Sequence, residues 1–209
     1  MRRRPSEPPA LPIGQRGPID NQRREQIIAA ADEQFRRYGY DKTTVADLAK
    51  AIGLSTAYIY KFFDSKHAIA EAVCAACLGR IDAELRGVAR EAKPASDRLR
   101  RIYLSLARQS SELFLDEPKL HDIITAACGE KWQAVRNHQA ALLEIVREVV
   151  AAGREAGEFE RQTPIDEACR AILQTMQPFS HPVLLEQNLD DLSDNAAIVA
   201  SLVVRSLAR

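Results

Sequence analysis

The sequence predicts an all-α fold, with an N-terminal three-helix unit followed by a larger C-terminal helical domain. Three observations carry this. Ala, Leu, Ile, Glu, Arg and Gln dominate a 209-residue chain that is 46% apolar, a set of helix formers with enough apolar content for a core. Aromatic residues make up only 6%, and Gly and Pro are sparse after the first twenty positions, so strand and turn signals are weak. Apolar residues recur at spacings of three and four from residue 21 onward, the period of a helix that buries one face.

Residues 1–20, "MRRRPSEPPALPIGQRGPID", hold five of the ten prolines and show no periodicity. They read as a flexible arm, in which Arg2, Arg3 and Arg4 are either solvated or lie along nucleic-acid phosphates and the minor groove. From Asn21 a helix is expected, with Ile28, Ala31, Phe35 and Tyr38 on one stripe and Gly39 as its stop. Thr43 or Thr44 can cap a second, short helix carrying Val45, Leu48, Ala49 and Ile52, which Gly53 ends. Ser55 is then placed to cap a third helix of about two turns. Helix, glycine, one residue, serine cap, helix is the register of a helix-turn-helix.

A fourth helix of about 25 residues opens behind Asp64 or Ser65, with Ile69, Val73, Cys77, Ile81, Leu85 and Val88 aligned, and ends before Pro94. Helical stretches follow over 99–115, 118–128 and 132–157. Thr163 is expected to cap a further helix over 164–177 with Pro164 as its first residue. "QPFSHPVLLEQ" reads as a break, and 190–206 closes the chain. The expected organisation is an arm over 1–20, a helix-turn-helix unit over 21–66, and a second domain over 67–209.

Within the motif, "STAYIYKFF" (55–63) concentrates two tyrosines, two phenylalanines and a lysine with no acid. At about 100° per residue, Ile59, Phe62 and Phe63 form the packing face, while Ala57 and Lys61 point away and Tyr58 and Tyr60 flank. A short helix needs such anchors, because it cannot hold itself together alone. Its free face offers hydroxyls at Thr56, Tyr58 and Tyr60, a cation at Lys61, and a small residue at Ala57 that permits close approach to a groove. Hydroxyl and ammonium groups reach phosphate oxygens, and methyls meet a thymine methyl.

Charge agrees in direction. The chain is formally neutral, yet residues 1–66 carry twelve Lys and Arg against eight Asp and Glu, while residues 67–209 carry seventeen against twenty-one. A basic front half fits a polyanion at one end.

"TTVADLAKAIGLSTAYIYKFFDSKHAIAEAV", preceded by "RREQIIAAADEQFRRYGY", resembles the DNA-binding domain of TetR-family (TetR/AcrR-type) transcriptional regulators over about residues 21–70. Phe35, Gly39, Thr43, Thr44, Ala49, Gly53, Ser55, Ile59, Tyr60, Phe63 and Lys66 carry the resemblance in order and spacing. By that resemblance Thr56, Ala57 and Tyr58 read base edges, while Tyr60, Thr44 and Lys66 contact phosphates. Ser55 and Lys61 complete the expected DNA-binding set. Two positions depart from the family pattern: Phe62 stands where His or Tyr is frequent, and Ala57 where Gly is frequent. The resemblance further implies a homodimer built on the last two helices, a palindromic double-stranded DNA operator, and a small-molecule effector that releases a repressor.

In the C-terminal half His121, Cys128, Trp132, His138 and His181 are core or surface side chains, or else several surround an apolar cavity. Tyr103, His121, Trp132 and Phe179 are the candidate ligand-binding residues. "CAAC" (74–77) invites a redox or metal reading, but it lies two turns inside a predicted helix, away from the N-terminus that acidifies reactive thiols. Zinc would need further ligands that are not at hand. Small apolar filler is the expected role of the pair, with a thiol sensor or a metal site as the alternatives; for the chain as a whole the alternatives to a sequence-specific regulator are a non-specific DNA-binding protein or a thiol redox sensor using Cys74 and Cys77. No catalytic constellation is visible, so no enzymatic activity, cofactor or metal is expected. No segment approaches the roughly 18 apolar residues of a membrane span, residues 1–20 lack the apolar core of a secretion signal, and the expected location is the cytosol.

Overall fold

The computed structural model describes residues 18–208. Ten α-helices follow in order among them: α1 (Pro18–Tyr38), α2 (Val45–Ala51), α3 (Thr56–Ile59), α4 (Lys66–Ala89), α5 (Ala95–Asp116), α6 (Pro118–Gly129), α7 (Gln133–Glu155), α8 (Ile165–Ser180), α9 (Pro182–Glu186) and α10 (Leu192–Leu207), with a 3-10 turn at Leu189–Asp191. The chain divides into two compact units within α4, between Val73 and Cys74.

In the first unit α1 packs on α2 and α2 on α3. Ile27, Ala31, Phe35, Leu48, Ile59, Phe63 and Ile69 are its buried centre. The stripe on α1 is rotated from the expected one, since Ile27 is buried while Ile28 is half-buried and Tyr38 is exposed. α1 also begins at Pro18, three residues inside the expected arm. Proline at a helix start loses no hydrogen bond, because the first N–H groups have no intrahelical acceptor. The rest of the expected arm, including Arg2, Arg3 and Arg4, lies outside the described residues.

The turn between α2 and α3 follows from backbone chemistry. Leu54 N–H donates to Ala49 O at 2.9 Å and Gly53 N–H to Lys50 O at 3.3 Å, the paired bonds that close a helix through a left-handed residue. Gly53 supplies that residue, at φ +66°.

In the second unit α5 lies against α6, α7, α8, α9 and α10, and α7 against α8. Leu99, Ile102, Tyr103, Leu106, Ile145, Val149, Ile172, Met176 and Ala200 are buried along these contacts. Two local expectations fail. Thr163 does not cap α8: its N–H donates to the Glu160 carboxylate at 3.0 Å, and Pro164 occupies the N-cap position without a side-chain bond. The stretch expected to break is mostly helical, because Pro178 lies in the last turn of α8 and Pro182 opens α9. Pro182, first in α9, loses no bond, whereas Pro178 forfeits one i→i−4 bond in the last turn of α8.

The α5 N-terminus is capped from 62 and 63 positions away. Pro94 offers no side-chain acceptor, and the Glu158 carboxylate instead accepts from Ala95 N–H at 2.8 Å, Ser96 N–H at 3.0 Å and the Ser96 hydroxyl at 3.0 Å. Burial pushes this carboxyl up, but those donors and Arg98 outweigh it and hold it below the ordinary value of 4.5. A carboxyl lowered on folding adds stability that is present above the unfolded value and lost as pH falls through the folded one. Glu158→Gln is expected to cost about 1 kcal/mol at neutral pH, as helix caps do. Its stability should also fall less steeply than that of wild type below pH 4.5, read from urea denaturation across a pH series.

Candidate functional site

The first candidate site is the exposed surface around α3. Ser55 Oγ accepts from Tyr58 N–H at 3.1 Å and starts the helix. α3 is shorter than the two turns expected: after Ile59 the chain continues through Lys61 N–H to Tyr58 O at 3.1 Å and Phe62 N–H to Ile59 O at 2.9 Å, the tighter i to i+3 pattern. Ile59 and Phe63 are buried as anchors, and the Arg24 guanidinium lies 4.7 Å from the Phe63 ring centroid. Phe62 leaves the expected packing face, is half-buried, and meets Tyr58 with ring centroids 5.4 Å apart.

What remains outward is polar and cationic. Ser55, Ala57, Tyr60 and Lys61 are exposed, Tyr60 at 48%. Thr56 and Tyr58 are half-buried. Lys61 Nζ stands 5.9 Å from the Tyr58 ring centroid, so the Tyr58 ring contacts both Phe62 and a cation. Contacts of this kind contribute about 0.5–1 kcal/mol at exposed sites and reduce the side-chain entropy lost when a partner binds.

Two expected phosphate contacts already have partners. Thr44 Oγ1 donates to Asp47 Oδ2 at 2.6 Å, Thr44 N–H donates to the same oxygen at 2.9 Å, and Asp47 N–H returns to Thr44 Oγ1 at 3.2 Å. The bond from the Thr44 hydroxyl and, to a lesser degree, that from its N–H hold the Asp47 carboxyl below the usual range. Lys66 Nζ donates to Asp41 O at 3.5 Å and lies 4.2 Å from the Tyr40 ring centroid. Lys66 therefore ties the α1–α2 loop to the start of α4.

The second candidate site is a cavity of about 50 Å³ inside the second unit. Leu78 and Ile81 of α4, Ile124 of α6, Leu142 of α7 and Leu185 of α9 give it an apolar wall. His121, His138 and His181 line it together with Cys128 and Gln177. His138 Nδ1 meets Asp82 Oδ1 of α4 at 2.6 Å, and as a carboxylate only accepts, the imidazole donates. His121 Nε2 and His181 Nδ1 are buried without a protein partner. His121 packs edge-on against Phe114, centroids 4.7 Å apart, and burial pushes its imidazole below the ordinary histidine value. Burial pushes the Cys128 thiol up, which disfavours the nucleophilic thiolate.

The sequence matches the description "Bacterial regulatory proteins, tetR family" over residues 27–73 and "Tetracyclin repressor-like, C-terminal domain" over residues 95–199, the latter being half of the chain. The chain belongs to the TetR family. Over 47 residues it is 47% identical to the HTH-type transcriptional repressor Rv1474c of Mycobacterium tuberculosis, a match spanning 22% of this chain and 25% of that relative. The fold is similar to a TetR-family transcriptional regulator of Pectobacterium atrosepticum, with TM-score 0.74 and 19% identity over 92% of this chain and 98% of that one. It is also similar to the transcriptional regulator FadR of Bacillus subtilis in complex with stearoyl-CoA, with TM-score 0.63 and 21% identity over 86% and 97%.

In this TetR-family transcriptional regulator His121 is the one of the four candidate ligand-binding residues that lines the cavity described. The other three have core roles. The Tyr103 hydroxyl lies 2.5 Å from Thr175 Oγ1 and donates to Ile172 O at 3.3 Å, its ring meets Phe179 edge-on at 6.3 Å, and burial pushes the phenol up to about 12. Trp132 Nε1 donates to Glu130 at 2.8 Å. Cys74 and Cys77 are buried within α4. Among the described residues no helix is long and apolar enough to cross a membrane, and no group of His, Cys, Asp and Glu is arranged to hold a metal ion. Cys128 lies two turns after His121 on the same face of α6, whereas His138 and His181 come from α7 and the α8–α9 junction, so only the fold brings those two to His121.

Proposed function

We propose that the chain is a homodimeric repressor that reads a palindromic operator through α3 and releases it when a small molecule fills the cavity of the second unit. The observation that carries the DNA reading is the division of "STAYIYKFF": Ile59 and Phe63 are buried, while Ser55, Ala57, Tyr60 and Lys61 are exposed together. Such a surface enters a major groove, with Thr56, Ala57 and Tyr58 at base edges and Tyr60, Lys61 and Lys66 at phosphates. One α3 meets few base pairs, so a two-fold dimer reading two half-sites supplies the specificity. Ile198 and Leu202, four positions apart on α10, are 64% and 60% exposed, and such apolar residues mark a surface that a second copy covers. The release step fits α4, one continuous helix from Lys66 whose Leu78 and Ile81 line the cavity. A ligand that binds better when α4 has moved shifts the population away from the DNA-competent state.

The test is selection of a random duplex library by the purified protein, followed by sequencing. An enriched palindrome supports the reading, and no enrichment from folded protein would replace it with non-specific binding. With the operator in hand, Tyr58→Phe keeps the stack on Phe62 and removes only the hydroxyl. It is expected to change the preferred base at one position by about 1–3 kcal/mol of discrimination. Lys66→Ala is expected instead to weaken all sequences alike and to lower the slope of log affinity against log salt by about one. Uniform weakening in both variants would refute the division between reading and positioning residues.

A further inference from the structure

The polar groups of the cavity narrow the chemistry of its ligand. Two histidine nitrogens, His121 Nε2 and His181 Nδ1, are buried in its lining with no protein partner. A buried polar atom left unpaired is costly, and at 8% exposure His121 needs a hydrogen-bonding group inside the cavity to meet it. The third histidine is already committed, its Nδ1 held by Asp82 at 2.6 Å. No Lys or Arg is among the residues that line the cavity. A neighbouring depression shares Ile81 and Leu113 with it and sets Arg80 among Glu112, Asp116 and Glu117. Phosphate groups would meet more carboxylates than cations there, and a buried anion without a counter-charge is strongly disfavoured.

From this lining we infer that the ligand is a small uncharged apolar molecule bearing one hydroxyl, of the phenol class, whose hydroxyl serves the unpartnered nitrogens of His121 and His181. The inference rests on the effector reading of the same cavity and adds the ligand's chemistry. A hydroxyl both donates and accepts, so it satisfies an imidazole nitrogen whether or not that nitrogen carries the proton. The apolar body of the ligand lies against Leu78, Ile81, Ile124, Leu142 and Leu185.

Size gives the coupling. The cavity holds about 50 Å³, whereas a cavity that accepts benzene is about 150 Å³. Entry of an aromatic ring therefore separates the walls, and α4 supplies one of them through Leu78 and Ile81. The hydroxyl fixes where the ring sits, and the ring displaces the helix.

Titration calorimetry on the full-length protein with 4-ethylphenol, ethylbenzene and hexanoyl-CoA tests this. The expected result is binding of 4-ethylphenol, with ethylbenzene weaker by about 10–100-fold because it leaves the nitrogens unpaired, and no binding of hexanoyl-CoA. His121→Phe keeps an edge contact with Phe114 and is expected to erase most of that preference, as is His181→Leu, which serves if the first variant melts early. Equal binding of the two aromatics, tighter binding of hexanoyl-CoA, an unaltered preference in both folded variants, or no binding by any of the three overturns the inference. The same ligands are then added to the operator complex. If 4-ethylphenol binds with the expected preference but leaves operator affinity unchanged, the ligand class stands and the effector reading fails.

Discussion

Replacing Gly153 with alanine is expected to cost about 3 kcal/mol or more, at the upper end of overpacking in a well-filled core. A methyl group on Gly153 would lie 2.2 Å and 2.5 Å from Cδ2 and Cε2 of Phe159 and 2.9 Å from the Ala95 Cβ. Distances this short require the ring to leave, and the chain around it opposes that. Phe159 N–H donates to Gly153 O at 3.2 Å, Glu160 N–H donates to Leu207 O at 2.8 Å, and Glu158 caps α5. Phe159 is 1% exposed, so it has no open side to move into. For a domain of this size the melting temperature should fall by about 6–12 °C. Phe159→Leu in the same chain should recover part of the loss, since contacting residues couple. Gly87, exposed on α4 with nothing within 4 Å of an added Cβ, is the control: Gly87→Ala should raise stability by about 0.5–1 kcal/mol through helix propensity alone. Equal effects of the two substitutions in thermal denaturation would show that the close approach at Gly153 is not felt.

The contrast between those two glycines also marks what could be read before folding. Both lie in helical stretches, and neither has a neighbour in sequence that tells it apart. The helix-turn-helix was legible because its signals are local: Thr44, Gly53 and Ser55 each act on backbone groups within five positions. Phe62 falls off the packing face that a regular 100° rotation predicts, because α3 gives way to a tighter turn after Ile59. Pro178 and Pro182 read as breakers, yet Pro182 stands at a helix start where no bond is lost, and Pro178 costs α8 one bond in its last turn without ending it there. The cavity was legible only as a set of residue types. His121, His138 and His181 come from α6, α7 and the junction of α8 with α9, and no periodicity says which of the aromatic and polar residues converge. Tyr103 and Phe179 were natural candidates by type, but their partners, Thr175 and each other, lie about 70 positions or more away along the chain.

Leu202→Arg is expected to leave each protomer folded and to abolish dimerisation, and with it operator binding at concentrations where the wild type is saturated. Leu202 is 60% exposed and Ile198, one turn earlier, 64%, so a charge at position 202 remains solvated in the isolated chain and melting should change little. In a two-fold interface each copy presents the same face to the other. The substitution therefore puts two guanidinium groups into one contact, where an unpaired buried charge costs about 3–5 kcal/mol. A loss of that size is roughly 10²–10³-fold or more in the dimer equilibrium, at about 1.4 kcal/mol per factor of ten. Operator affinity falls further than that alone suggests, because a monomer engages one half-site and forfeits the high effective concentration that links the second α3 to the first. Sedimentation equilibrium and operator titration on the same samples separate the two steps. A variant that sediments as a dimer would move the interface away from the Ile198–Leu202 face. A monomer that still binds the full operator as tightly as wild type would instead overturn the two-half-site reading.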